Sequence, residues 1–495
     1  MNTCLSPREI RKGYSAIKNL ARQSLLKGNL AEALGYINHC AIIAQQFNWI
    51  YADDELEDML ATIGAEIISS PVTDFVPVQG RVVLYDDFCT SFVLALQYLR
   101  ALVAAGMEIL YVTSRDVDAK SRFSTIVDEI HSYPKTTVLI IPQGEKRKRI
   151  EWIYDSIISF RPEKVLLHVF ANSVALPAMY VLPHSIKRYI INLADQTFWL
   201  GKKAIDYSFE FRPFGASVSL QKRGLKEDQL LLIPFYPIAD NNPFDGFPPE
   251  CTSDKVILFS GGDLYKVVDK GQAYWNLVKM ILDKYPNCIF LFATKVNKKG
   301  NEVVKHFIES NHFQGRFIYI GFRKDINEVF KHCDIFMGTC PASGSLMSQL
   351  AAINRKPILQ YYYPETPDDE TEQAICIKDK FPISFTDTAL FLREADRLIK
   401  EPEYRLYKGK MLQNALMDQD LFNKTVANTL STNRSQYPLS IKSFDYGGLE
   451  MRWYELEECG FTDTLPYLYG ILGKRLSMKT STTMFVKKLF RRLLG

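Results

Sequence analysis

The chain has no paired-cysteine pattern. Its nine cysteines are scattered, none sits in a C-x-x-C pair, and the closest two, Cys333 and Cys340, have no histidine pair at zinc-ligand spacing. A zinc module and a disulfide framework are therefore excluded, and free thiols in a reducing compartment are expected. A charge excess is also missing: 60 basic residues stand against 56 acidic ones, a net charge of +4. That balance excludes a whole-chain nucleic-acid binder, so any basic binding feature must be local. No run of about eighteen apolar residues occurs, so no membrane-spanning helix is expected. The opening MNTCLSPREIRKGY lacks the apolar core of a signal peptide. The expectation is a cytoplasmic protein that meets a membrane, if at all, at its surface.

What is present is a globular composition. Of 495 residues, 47% are hydrophobic, 23% charged and 13% aromatic, which is enough apolar material for two or three domain cores. Ser6 to Ile68 reads as helical, with Leu20, Ala21, Leu25, Ala33, Leu34, Ile37, Cys40 and Ala41 on helical spacing and a break at Gly28-Asn29. The Leu20-Ala21, Gly28, Ala33 and Ile37 positions resemble one tetratricopeptide unit. Residues 1–75 are thus either a partner-docking module or a helical cap on the next domain, because one isolated repeat cannot bury its own face.

Pro71 and Pro77 end that rhythm. RVVLY, EILYVTS, TTVLII, KVLLHVF, IKRYIINL, YSFEF and QLLLIPF then follow one another, most of them separated by amphipathic stretches. Such alternation spells βαβ units of a parallel sheet. Five prolines between Pro234 and Pro249 mark a linker. A second alternation follows it: KVILFSGG, NCIFLFAT, RFIYIGF, CDIFMGT and KPILQYY. The expected fold is α/β, with two Rossmann-like domains, residues 76–236 and 237–440, facing a cleft at the carboxyl ends of their strands. A tail of residues 441–495 completes the chain.

In the second domain, Gly261 and Gly262 lie where a buried strand turns toward a helix starting near Gly271. Glycines there let backbone approach a phosphate, and Lys266 and Lys270 add cationic reach. The loop is neither G-x-G-x-x-G nor a Walker loop, since no G-K-[ST] follows. Further on, Arg316 to Tyr362 runs RFIYIGFRKDINEVFKHCDIFMGTCPASGSLMSQLAAINRKPILQYY. This series resembles the C-terminal domain of GT-B glycosyltransferases. The resemblance implies that Gly321 and Phe322 end a strand beside the nucleotide base. Cys333-Asp334-Ile335-Phe336 matches the next strand, Pro341 to Ser345 the small-residue loop opening a helix, and Lys356-Pro357-Ile358-Leu359 the strand after it. Ser343, Gly344 and Ser345 at that helix N-terminus form an anion cradle for a nucleotide diphosphate. Gln349 falls where many retaining members carry a ribose-holding glutamate. The amide departs from that pattern and favours an inverting subtype.

The resemblance covers roughly residues 80 to 435 and places the acceptor and the catalytic base in the first domain. Asp86 and Asp87 end its first strand, where a carboxylate could deprotonate an acceptor hydroxyl or merely cap the following helix. The segment INLADQTFWLGKKAIDYSFEFRPFGASVSLQKRG is similar to one in bacterial surface-polysaccharide transferases. Asp195, Phe198, Trp199 and Gly201 match it, as does Gly215 to Gly224, whereas Gln196 stands where a histidine is expected. Cys89-Thr90-Ser91 replaces the glycine- and arginine-containing turn expected after the first strand. Asp195 joins Asp86 and Asp87 as a candidate catalytic residue. His168 is a further candidate base or a satisfied core histidine, and Trp199 either stacks on a sugar or packs inside.

The last residues, TTMFVKKLFRRLLG, place Val486, Leu489, Phe490, Leu493 and Leu494 on one helical face, with Lys487, Lys488, Arg491 and Arg492 between them. A helix of this kind lies on an anionic inner leaflet or docks on the protein itself. The resemblance as a whole implies a hexosyltransferase moving sugar from a nucleotide diphosphate to a glycan or lipid-linked acceptor in cell-surface polysaccharide synthesis. Its partners are a nucleotide sugar, that acceptor, an inner leaflet and a protein at the N-terminal helices. No cofactor or metal is required, because amides and lysine stabilise the leaving diphosphate. Two alternatives stand beside it: a sugar-nucleotide epimerase and a non-catalytic scaffold of the same fold.

Overall fold

The computed structural model describes residues 7–87, 93–114, 124–169, 175–269, 271–295, 298–363, 369–444, 446–447 and 450. Residues up to 233 together with 419–443 form one compact unit, and residues 234–418 the core of a second.

The first unit is built on a seven-stranded parallel sheet. Its strands are β1 (Arg81–Asp86), β2 (Glu108–Thr113), β3 (Thr136–Ile140), β4 (Lys164–His168), β5 (Lys187–Ile191), β6 (Tyr207–Glu210) and β7 (Leu230–Leu232), in the order β3-β2-β1-β4-β5-β6-β7. Strands such as VVLY of β1 and VLL of β4 are buried on both faces, which is why they read as continuous apolar runs and not as alternation. Strand order reverses between β1 and β4, so the crevice outside their carboxyl ends is the topological switch point of this sheet.

The helical extension has three helices, Pro7–Leu26, Leu30–Phe47 and Asp54–Ile67, where the sequence pattern indicated two. Gly28, at φ +74, makes the first turn. The second break is polar: Asn48 closes the preceding helix in the left-handed conformation, and the Asp53 carboxylate caps the next by accepting from Glu55 N and Leu56 N. The third helix docks on the rest of the unit. Glu57, fully buried, accepts from Gly201 N at 2.8 Å, Lys203 N at 3.2 Å and the Tyr180 hydroxyl. Asn48 donates to Gln196 O at 2.7 Å, and a methyl at Gly64 would fall 2.2 Å from Pro177 O. These contacts dock the extension on the rest of the unit.

Helix Gln419–Thr432 also belongs to the first unit, which interrupts the continuous 237–440 domain drawn from sequence. It returns because Phe422 packs edge-on to Tyr98 at 5.4 Å, and Tyr98 in turn stacks on Phe209 of β6.

The second unit carries a parallel sheet of β8 (Val256–Gly261), β9 (Cys288–Ala293), β10 (Phe317–Gly321), β11 (Ile335–Met337), β12 (Ile358–Tyr361) and β13 (Ser384–Phe385), in the order β10-β9-β8-β11-β12-β13. Successive residues of β8 feed opposite cores. Leu258 packs with Tyr274, Trp275 and Phe290 on one face, while Ile257 and Phe259 pack with Leu291, Phe330 and Phe336 on the other. Here the order reverses between β8 and β11, so the loops leaving those two strands flank the second switch point. Among the described residues no helix is long and apolar enough to cross a membrane.

Candidate functional site

At the second switch point the loops after β8 and β11 are stitched together by one residue. Lys266 accepts at its carbonyl from Ala342 N at 3.2 Å and donates from Nζ to Ser343 O at 3.2 Å. Gly262, at φ +145, turns the first loop, and a methyl there would stand 3.5 Å from Lys266 Cδ. A methyl at Gly344 would stand 3.6 Å from Lys266 Nζ, so the ammonium lies directly beside the glycine. Thr339 Oγ1 donates to Ala342 O at 2.6 Å and folds the second loop on itself.

Below this loop, Gln360 of β12 donates to Thr339 O at 3.0 Å. A methyl at Gly338 would fall 1.9 Å from Gln360 Oε1, so the amide could not keep this position beside any larger residue.

Gly344 is the N-cap of helix Ser345–Ile353 and has no side chain to accept the first-turn N–H groups. A helix start always carries such orphan donors, and Lys266 stands beside them. Ser343, Gly344 and Ser345 are half-buried at this helix start. Ser343 Oγ is turned away, donating to Glu370 Oε2 at 2.8 Å.

The other expected donor-side residues separate. Gly261 is packed tightly, since a methyl would lie 2.9 Å from Ala293 O. Gly321, at φ +70, has open space around it, and Phe322 beside it is 68% exposed. Gln349 does not join them. Its side chain is buried and its amide donates to Phe235 O at 2.9 Å and Ala374 O at 3.0 Å, so it pins the start of the linker to two helices. Its position on the helix turns it into the unit and away from the loop. Lys270 lies outside the described residues, as does the basic C-terminal helix.

In the first unit, Asp86 and His168 end the two strands of the switch point, with Asp86 Oδ1 2.8 Å from His168 Nδ1 and Asp86 Oδ2 accepting from Tyr111 at 2.6 Å. Both Asp86 and His168 are fully buried. Asp87 is half-buried and accepts from Ser114 Oγ. The turn Cys89-Thr90-Ser91 lies outside the described residues.

Asp195 lies inside the unit. It is fully buried and held by Arg212 through two bonds, Nε to Oδ2 at 2.6 Å and Nη2 to Oδ1 at 3.0 Å. The whole aromatic-rich segment around it is an internal polar network. Arg223, fully buried, donates to Asp195 O and Thr197 O and lies over the Trp199 ring at 5.0 Å. Glu210 accepts from Ser208, Ser219 and Asn192, and burial, its dominant influence, raises its carboxyl above the ordinary glutamate value. Trp199 is buried packing.

The sequence pattern did not single out Glu370, Gln360 or Thr339. A glutamine inside the apolar run KPILQYY is the signal that points to a strand residue with a polar duty. Among the described residues no group of three or more His, Cys, Asp or Glu is placed to hold a metal ion.

No protein-family model matches the chain, and no curated protein sequence matches it. Solved structures match its fold. An O-GlcNAc transferase from Thermobaculum terrenum aligns with a TM-score of 0.53 and 11% identity over 93% of this chain and 89% of that one. A glycosyltransferase from Rickettsia africae aligns at 0.52 with 12% identity over 71% of this chain and 99% of its own. Anabaena HepE in complex with UDP and glucose aligns at 0.50, also with 12% identity and over the same shares of the two chains. The likeness is one of architecture: two Rossmann-like α/β domains in the GT-B arrangement.

Proposed function

We propose that this chain is a glycosyltransferase that takes sugar from a nucleoside diphosphate. One observation carries the reading: Lys266 Nζ, Gly344 and the uncapped start of helix Ser345–Ile353 converge at the switch point of the second sheet. A diphosphate needs this combination of a cation, close backbone approach and free N–H groups. The shared fold with transferases, one of them holding UDP and glucose, supports uridine as the base.

In this mechanism an acceptor hydroxyl attacks the anomeric carbon while the bond from that carbon to the diphosphate oxygen breaks. The electron pair leaves with the diphosphate, where Lys266 and the helix N–H groups stabilise the growing charge. The hydroxyl proton passes to a carboxylate base, for which Asp87, half-buried just after β1, is the candidate. We extend the proposal to an inverting hexosyl transfer that needs no metal, to a glycan or lipid-linked acceptor of cell-surface polysaccharide synthesis, with the basic C-terminal segment resting on the inner leaflet.

One observation favours a second reading, a non-catalytic scaffold. Two of the three candidate carboxylates, Asp86 and Asp195, are buried and already engaged.

The test is a thermal-shift screen of nucleotides and nucleotide sugars on wild type and Gly344→Trp, whose indole would occupy the space beside Lys266. A diphosphate nucleotide that raises the melting temperature of wild type alone supports the cradle and names the base. Binding without transfer or donor hydrolysis, or no binding at all, transfers the weight to the scaffold.

A further inference from the structure

Strand β12 holds a glutamine within an apolar and aromatic run, and Gln360 is fully buried there. Its Nε2 donates to Thr339 O at 3.0 Å and to Tyr361 O at 2.9 Å. Its Oε1, also buried, has no hydrogen-bond partner among the described residues. The amide lies over the residue that follows β11, since a methyl at Gly338 would fall 1.9 Å from Oε1, 2.8 Å from Cδ and 3.4 Å from Nε2. The two bonds fix which way the amide faces, because turning it over would set an acceptor against two carbonyls.

Packing alone does not call for a glutamine at this place. A buried acceptor without a donor costs stability, and an apolar side chain of similar volume would carry no such cost. What the amide provides is a hold on Thr339 O, which fixes where the chain leaves β11. The loop so held runs directly into the helix start proposed as the diphosphate cradle. Three of its carbonyls, oxygens that would repel an anion, are each tied to a donor. Thr339 O accepts from Gln360, Ala342 O from the Thr339 hydroxyl at 2.6 Å, and Ser343 O from Lys266 Nζ at 3.2 Å. Gln360 and Thr339 are buried, whereas Ser343 and Gly344 are only half-buried.

We propose that Gln360 is a positioning residue of the cradle: acting through Thr339, it sets the loop that presents Ser343 and Gly344 to the second phosphate of a nucleoside diphosphate. The proposal rests on the transferase reading and adds to it a residue that tunes the same site from beneath.

The experiment titrates the full chain calorimetrically with UDP and, separately, with UMP, which lacks the second phosphate. Gln360→Leu keeps most of the volume and removes the donor. It should weaken UDP about tenfold and lower the ratio of UDP to UMP affinity by about threefold or more. A glutamine that served the core alone would weaken the two nucleotides equally when replaced, and the ratio would stay at the wild-type value.

Thr339→Val, which removes the hydroxyl bond to Ala342 O, should lower the ratio in the same direction. Thr339→Ser, which keeps that hydroxyl, should recover it. This pair decides the matter if Gln360→Leu does not fold. Wild type that binds UDP while the ratio is unchanged in Gln360→Leu and Thr339→Val overturns the proposal and leaves the transferase reading standing. Wild type that does not bind UDP removes the cradle itself, and the proposal falls with it.

Discussion

Replacing Lys266 with alanine tests the cradle most directly. Its Nζ stands 3.2 Å from Ser343 O and beside Gly344, where the charge of a bound diphosphate would fall. A charge-assisted hydrogen bond is worth about 1.5–3 kcal/mol, so UDP affinity should drop about 10- to 150-fold. Transfer should suffer more than binding, because charge accumulates on the leaving oxygen in the transition state; loss of one such donor typically lowers kcat by about 100- to 1,000-fold. The fold should hardly notice. The bond to the Ser343 carbonyl at a half-buried loop is worth about 0.5–1.5 kcal/mol, and the backbone bond from Ala342 to Lys266 O is kept. Lys266→Arg, which keeps the charge, should recover part of the affinity. Calorimetric titration with UDP and a donor-consumption assay measure the two effects separately. An alanine variant that binds UDP within about twofold of wild type refutes the assignment of this loop as the diphosphate site.

Glu57→Ala should destabilise the chain by about 3 kcal/mol, since it strands the buried Gly201 N–H, the part-buried Lys203 N–H and the Tyr180 hydroxyl, as read by urea unfolding. Arg212→Met leaves the Asp195 carboxylate buried without its cation and should cost about 3–5 kcal/mol. If Asp195 were instead a base, Asp195→Asn would abolish transfer while leaving the melting temperature unchanged. Gln349→Ala frees the carbonyls of Phe235 and Ala374 and should lower the melting temperature without altering UDP affinity, whereas a ribose ligand would show the reverse. Glu210 has a folded-state pKa raised chiefly by burial, so its contribution is fully present below the unfolded value, about 4.3, and is lost as pH rises through the folded value. The stability of Glu210→Gln relative to wild type should therefore increase across that window, and a flat difference in unfolding free energy would show that Glu210 does not titrate there.

Much of this protein is legible along the chain. Uninterrupted apolar runs such as VVLY and CIFLFA can be buried only on both faces, and their spacing by helical stretches requires parallel sheets. The prolines after Ile233 mark the division between units because a chain rich in them cannot continue a strand. Gly262 and Gly344 are readable as breaks, because a strand that turns at once through positive φ and a helix that starts without a side-chain cap both favour glycine. All of these follow from local geometry, which neighbouring residues set among themselves.

Tertiary structure decided which polar residues face inward. The aspartate and aromatics around Trp199 have the composition of a sugar site, yet Arg212 and Arg223, contributed from farther along the chain, fold over them and close a buried network. Gln349 falls on the expected helix, but the linker at Phe235 lies against it and claims its amide. Asp86 and Asp87 are adjacent in sequence and fall to opposite sides of their strand: one meets Tyr111 and His168 in the core, while the other remains half-open at the edge. A charged side chain looks the same in sequence whether its partner is a substrate or another residue of its own chain. What separates the two cases is a contact between residues distant in sequence, and only the folded chain makes it.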